Sequence, residues 1–162
     1  MGTSDGAVIG TTQIFGSAPR NRAFNIVLLA EGFTAGQQTD FNTACTAFLN
    51  AFWATPPFDQ LGPAIDVFRV HVRSTDSGAD DPVAAGGTGA TARTYFDASF
   101  GVNNIRPLLV GNAATALIVA AAQLPELIPK FTVVISSIPL RLRSRSHGTP
   151  RGYRRLLTST TV

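Results

Sequence analysis

Three acidic residues follow two stretches of the sequence that are predicted to be buried strands. Glu31 closes the apolar run 26–30, while Asp80 and Asp81 come after the strand pattern of residues 65–74. In open parallel sheets, the carboxyl ends of the strands form the edge where sites lie. Carboxylates at that edge can hold a cation or orient a loop, although an Asp before a Pro is also ordinary turn chemistry. We therefore predict that Glu31, Asp80 and Asp81 are either site-edge or structural carboxylates.

Histidine and cysteine, the side chains that most often bind transition metals, are scarce. The only histidines are His71 and His147, and neither is followed by Glu, so neither begins an H-E-x-x-H zinc motif. His71 shares a predicted strand face with Arg69 and Arg73, whose charges disfavour its protonation. The single cysteine, Cys45, excludes an internal disulfide and lies on an apolar helical stripe, which predicts a small core residue.

Glycine-rich turns raise the question of nucleotide binding. The Gly-Gly-Thr-Gly run at 86–89 lacks the Lys-Ser/Thr of a P-loop, and the turn 30–36 (AEGFTAG) lacks the G-x-G-x-x-G spacing. That turn also places an acid where phosphate would bind. A nucleotide-binding α/β domain is therefore a third interpretation, which rests on architecture alone.

The elements that would position these residues alternate along the chain. Apolar runs predict buried strands at 24–31 and 131–137, and an alternating pattern predicts a strand at 65–74. Thr34 and Gln37 form a capping box before a helix that ends at Pro56. A second helical segment is predicted at about 103–124, interrupted near Pro107 and Gly111. This order predicts an α/β fold: a partial three-layer domain with a mostly parallel sheet and helices on both faces.

Charge divides the chain into two unlike parts. Residues 1–137 hold seven Lys/Arg against ten Asp/Glu, whereas residues 138–162 hold six Arg and no acid. We predict a linker or edge strand at 1–15, a folded domain at 16–137 and a disordered basic tail at 138–162. The alternative function is a non-catalytic protein that binds nucleic acid or another polyanion through the tail arginines, which are Arg141, Arg143, Arg145, Arg151, Arg154 and Arg155.

Neither a secretory signal nor a membrane span is visible in the sequence. The first residues, MGTSDGAVIGTTQ, have no basic start and no long apolar run, and the longest apolar stretch, 113–122, is too short for a bilayer. We expect no membrane partner, and the localisation stays open.

Residues 16–41 (GSAPRNRAFNIVLLAEGFTAGQQTDF) resemble the opening of the catalytic domain in the IgA-peptidase family of zinc metallopeptidases. The matching positions there are Asn21, Arg22, Glu31, Gly32, Phe33 and Thr34. The resemblance continues through Pro57-Phe58, RSTDSGADDP at 73–82, TYFDASFG at 94–101 and LPELIPKFTVVISS at 124–137. It implies a partial metallopeptidase-like domain over about 16–137, a peptide or protein substrate, and zinc as the cofactor of the family, whose members are often exported.

The resemblance stops after Ser137. In the family, the last strand leads through a glycine-rich segment to the H-E-x-x-H helix, in which two histidines bind zinc and the glutamate activates its water. No position of this chain matches those residues, so we assign no catalytic or metal residue and expect neither zinc nor activity. The change in composition at Ser137 predicts a truncated or frame-shifted end, since out-of-frame translation of a GC-rich gene readily yields Arg, Ser and Pro.

Overall fold

A five-stranded mixed sheet organises the molecule. The computed structural model describes residues 5–19, 22–106, 108–125 and 131–137, and the backbone alone of 158–160. The strands of this sheet are β1 (Gly6–Phe15), β2 (Phe24–Glu31), β3 (Ile65–Ser74), β6 (Phe131–Ser136) and β7 (Thr158–Thr160). They lie in the order β1-β3-β2-β6-β7. β4 (Ser99–Phe100) and β5 (Leu109–Val110) form a separate antiparallel pair.

The centre of the sheet is parallel and its edges are antiparallel. β2 pairs in parallel with β3 on one side and with β6 on the other, whereas β1 runs antiparallel to β3 and β7 runs antiparallel to β6. β2 is the central strand, and its apolar run 26–30 is fully buried. This burial is the physical reason for a continuous apolar strand, because a strand covered on both faces has no polar side.

Two helices cover opposite faces of the sheet, as the sequence predicts. α1 (Gln38–Trp53) lies against the face of His71, whose ring meets that of Phe41 edge-on at 5.6 Å. α2 (Ala113–Gln123) lies on the other face, where its Gln123 accepts a hydrogen bond of 3.0 Å from the Thr11 hydroxyl. Thr11 pairs with Val70, the neighbour of His71, and successive strand residues point to opposite faces. The α/β fold with helices on both faces is therefore confirmed.

The start of α1 follows the predicted capping box. A 3-10 turn, Ala35–Gln37, precedes the helix, and the Gln37 side-chain oxygen accepts hydrogen bonds of 3.1 Å from both the backbone N–H and the hydroxyl of Thr34. The apolar stripe of α1 packs inward, and its buried residues are Phe41, Ala44, Cys45 and Phe48. Cys45 is therefore a core residue, as its position on the stripe predicts.

The second predicted helix begins ten residues too early. Residues 103–112 contain the strand β5, and α2 starts only at Ala113, after Asn112 caps it by accepting a hydrogen bond of 3.0 Å from Thr115 N–H. Asn103 and Asn104 have positive φ angles of 55° and 61°, a left-handed conformation that a helix cannot contain. No helix among the described residues is long and apolar enough to cross a membrane.

Candidate functional site

The carboxyl ends of β2, β3 and β6 are joined by hydrogen bonds into one edge. Ser137 N–H donates to the Glu31 carbonyl at 2.9 Å, and Ser74 N–H donates to the Phe33 carbonyl at 2.8 Å. The Ser74 hydroxyl oxygen accepts from Gly32 N–H and Tyr95 N–H, each at 3.1 Å. These bonds fix the residues after each strand, which is where a parallel sheet carries its site.

Glu31 is the buried anion of this edge. Its side chain is 1% exposed, and its two carboxylate oxygens accept hydrogen bonds of 3.0 Å from Phe96 N–H and Ala98 N–H. The Thr94 side chain is a third hydrogen-bond partner. Asp97 lies between the two amides with φ of 51°, and this left-handed residue lets neighbouring N–H groups converge on one anion. Glu31 therefore holds the segment 94–98 against the end of β2.

Burial and hydrogen bonding shift the pKa of Glu31 in opposite directions. Burial raises the pKa of Glu31 above its ordinary value of 4.5, and this is the largest effect. The hydrogen bonds from Thr94, Phe96 and Ala98 lower the pKa, because they favour the ionised form, and the nearby negative charge of Asp97 raises it. The net result is a raised pKa, so the folded protein binds a proton at Glu31 more readily than an unfolded chain does.

Gly32, directly after Glu31, allows a close approach between two loops. Its φ is +69°, and a Cβ at this position would collide with the Gly78 carbonyl oxygen and lie 2.8 Å from the Ser137 hydroxyl. Gly78 N–H donates at 3.3 Å both to the Gly32 carbonyl and to the Ser137 hydroxyl oxygen. Glycine at this position is what allows the loop after β3 to cross the end of β2.

Asp80 joins the same loop that Glu31 holds. One carboxylate oxygen of Asp80 accepts a hydrogen bond of 2.8 Å from Ala92 N–H. Its backbone N–H donates to the Ala98 carbonyl at 2.8 Å, and its carbonyl accepts from Phe100 N–H at 2.9 Å. Ala98 is therefore bound by both acids: its N–H donates to the Glu31 carboxylate, and its carbonyl accepts from the Asp80 backbone N–H.

Asp81 is directed into the glycine-rich loop instead. One of its oxygens accepts from Thr88 N–H and from the Thr88 hydroxyl, each at 2.9 Å, and the other forms an ion pair with Arg106. The Thr88 hydrogen bonds, followed by the charge of Arg106, lower the pKa of Asp81. The Asp81 carboxylate thus accepts the hydrogen bonds that the glycine-rich loop would otherwise offer to a phosphate. This arrangement favours a surface loop over a nucleotide-binding loop.

His71 lies away from this edge, on the face that α1 covers. Its Nδ1 is 3.0 Å from the Gln38 side-chain oxygen. Burial lowers the pKa of His71, and the charge of Arg69 lowers it further. The predicted preference for the neutral ring is confirmed, although burial contributes more than the neighbouring arginine. His147 and the six tail arginines lie outside the described residues, so polyanion binding by the tail stays a prediction.

A family model for IgA peptidase M64 matches residues 12–118, from within β1 to within α2. The chain belongs to the IgA peptidase M64 family. None of the curated proteins compared with the chain matches it. The family resemblance inferred from the sequence is thereby confirmed, and in the matched range it includes Glu31, Gly32, Asp80 and the segment 94–98.

IgA peptidase M64 is a family of metallopeptidases, so its members require a metal site. Among the described residues, however, no three His, Cys, Asp or Glu side chains lie close enough together to hold a metal ion. Glu31 and Asp80 already accept backbone hydrogen bonds, and Cys45 lies on the buried face of α1. The described part of this M64 chain therefore does not fit a catalytic zinc, and we derive no catalytic step through one.

Sequence reasoning located the acids of the edge but missed the groups that bind them. The amides of Phe96 and Ala98 are 65 and 67 residues from Glu31 along the chain. Ser74, whose hydroxyl joins two loops, is the last residue of β3 and has no motif around it. Its position at a strand end is the only feature of the sequence that could have drawn attention to it.

Proposed function

We propose that the described domain is the N-terminal part of the catalytic domain of a zinc-dependent peptidase that hydrolyses peptide bonds in peptide or protein substrates. The observation that carries this proposal is the family match over residues 12–118. In this proposal the partial domain comprises residues 16–137, and the edge strand β1 (Gly6–Phe15) precedes it.

Glu31 and Asp80 have a positioning role in this proposal. Both carboxylates accept hydrogen bonds from the backbone of one loop, through the Phe96 and Ala98 amides for Glu31 and the Ala92 amide for Asp80. These carboxylates fix the backbone of the loop, so we assign neither of them as a general base or a metal ligand. We assign to both residues the task of fixing the sheet edge beside which a peptidase site is completed. Asp81 performs the same task for the glycine-rich loop.

The chain as written is inactive in this proposal. A catalytic zinc site uses three protein ligands and a water, and the H-E-x-x-H arrangement supplies two histidines one helical turn apart. The sequence contains only His71 and His147, and neither begins that motif. His71 contacts Gln38 and Phe41 on the face covered by α1, away from the joined strand ends.

We further propose that residues 138–162 result from a shifted reading frame or a truncated gene. The support is the change at Ser137 from a chain with more acids than bases to a segment with six arginines and no acid.

Translation of the coding DNA beyond the Ser137 codon in the other two frames tests this origin. The proposal predicts glycine codons followed by H-E-x-x-H in one of those frames, and it predicts that the protein restored in that frame cleaves casein. Two alternative frames without such a motif would contradict it.

A further inference from the structure

A cavity of about 160 Å³ lies on the α2 face of the sheet, between α2, β6 and the segment 108–112. Glu31 lines one part of it, together with the Thr132 and Ser136 side of β6. The walls are mainly apolar, and the apolar lining residues include Phe96, Leu108, Leu109, Val110, Ala116 and Val134. Apolar walls with a few polar groups are typical of small-ligand sites.

The size of the cavity sets the size of its ligand. A cavity of about 150 Å³ with apolar walls accommodates one benzene molecule. The inner wall is buried, since Phe96 is fully buried and Ala116 is 3% exposed. The rim reaches solvent at Val110, which is 40% exposed, and at the exposed Asn112. A ring-sized ligand can therefore enter at the rim and bury its apolar surface.

The charge of the cavity sets the chemistry of the ligand. Glu31 is acidic, and no lysine, arginine or histidine is found among the described residues that line the cavity. A carboxylate offers about four acceptor sites, and the hydrogen bonds from Phe96, Ala98 and Thr94 use three of them. Within the described part of the chain, these bonds leave about one acceptor of the buried acid for a donor, and a cationic donor forms the strongest hydrogen bond.

We propose that this cavity binds a compact hydrophobic amine, with a body about the size of one six-membered ring against the apolar walls and its ammonium group directed towards Glu31. Anionic ligands of the same size are excluded by the charge of that carboxylate. The proposal concerns ligand binding on the α2 face and does not depend on peptidase activity.

The test is calorimetric titration of the full chain with benzylamine, toluene and benzoate, supported by thermal unfolding with each compound. We expect saturable binding of benzylamine at one site per chain. We expect Kd to be at least about tenfold weaker for toluene, which lacks the charged donor, and no binding of benzoate. Equal binding of toluene or benzoate, or no saturable binding of benzylamine, would overturn the proposal.

Two leucine substitutions on α2 locate the site. Ala116→Leu fills the cavity from its buried wall and is expected to abolish benzylamine binding. Ala121→Leu adds the same volume at an exposed position of the same helix and is expected to leave Kd unchanged. Benzylamine binding that survives Ala116→Leu would contradict the assignment.

Amide chemical shifts of the unmodified protein give a second measurement that does not require a variant to fold. Benzylamine is expected to shift the resonances of Phe96, Ala98 and Ala116 while leaving Cys45, on the opposite helix α1, unchanged. Shifts that avoid Phe96 and Ala98 would overturn the proposal.

Discussion

At the scale of single residues, Glu31 determines how the sheet edge is built. It is an acid at a fully buried position, and the backbone amides of Phe96 and Ala98 balance part of the free energy of burying it. The sequence predicts Glu31 at a strand end, because the apolar run before it is unmistakable. Its partners could not be predicted, because every residue except proline has a backbone N–H, so the residue type does not reveal which distant amide donates to Glu31.

The raised pKa of Glu31 predicts a pH dependence of stability with a definite sign. Because the folded state binds the proton more tightly than the unfolded state, this residue stabilises the fold fully below pH 4.5, and its contribution is lost as the pH rises through the folded pKa. We expect the difference in unfolding free energy between the wild-type protein and the Glu31→Gln variant to fall as the pH rises above 4.5, measured by urea denaturation.

The comparison with the variant is needed because His71 changes the pH dependence of the unfolding free energy in the opposite direction. Its pKa is lowered from 6.5, so its contribution to stability is lost as the pH falls below that value. His71 is present in both proteins, and its contribution cancels in the difference. A difference that stays constant or grows with rising pH would refute the role assigned to burial of Glu31.

At the scale of elements, long apolar patterns were predicted well and short irregular segments were not. The strands at 24–31 and 65–74 and the helix after Thr34 match β2, β3 and α1, since burial of an entire face dominates their folding. The start of α2 was misplaced because the left-handed conformations of Asn103 and Asn104 are local choices that residue periodicity does not report.

The junction between the β2 and β3 ends gives a prediction for Gly32. Its φ of +69° and the proximity of the Gly78 carbonyl leave no room for a side chain. We expect Gly32→Ala to destabilise the protein by about 2 kcal/mol or more, because both backbone strain and a collision with backbone must be relieved. Chemical denaturation monitored by circular dichroism measures this change.

Gly36→Ala is the matched control. Gly36 lies in the 3-10 turn before α1 without a positive φ, and a Cβ there meets no atom within 4 Å. It is expected to be neutral or to stabilise the protein by about 0.5 kcal/mol. Equal effects of the two substitutions would show that the close approach at Gly32 is unimportant.

At the scale of the whole molecule, the described residues form a mixed sheet with a joined strand edge, and they contain no group of three side chains that could hold a metal ion. Hydrogen bonds join the end of β2 to the end of β6 through Ser137 and to the end of β3 through Ser74. The fold class and the family could be predicted because they depend on patterns repeated over many residues.

We propose that this chain has the scaffold of an M64 metallopeptidase without the residues that hold its zinc. The most direct test measures zinc by mass spectrometry in purified, zinc-saturated and desalted protein, together with casein hydrolysis by the same sample. We predict zinc far below one ion per chain and no hydrolysis above a blank. One zinc ion per chain, with casein cleavage that a chelator abolishes, would contradict this account.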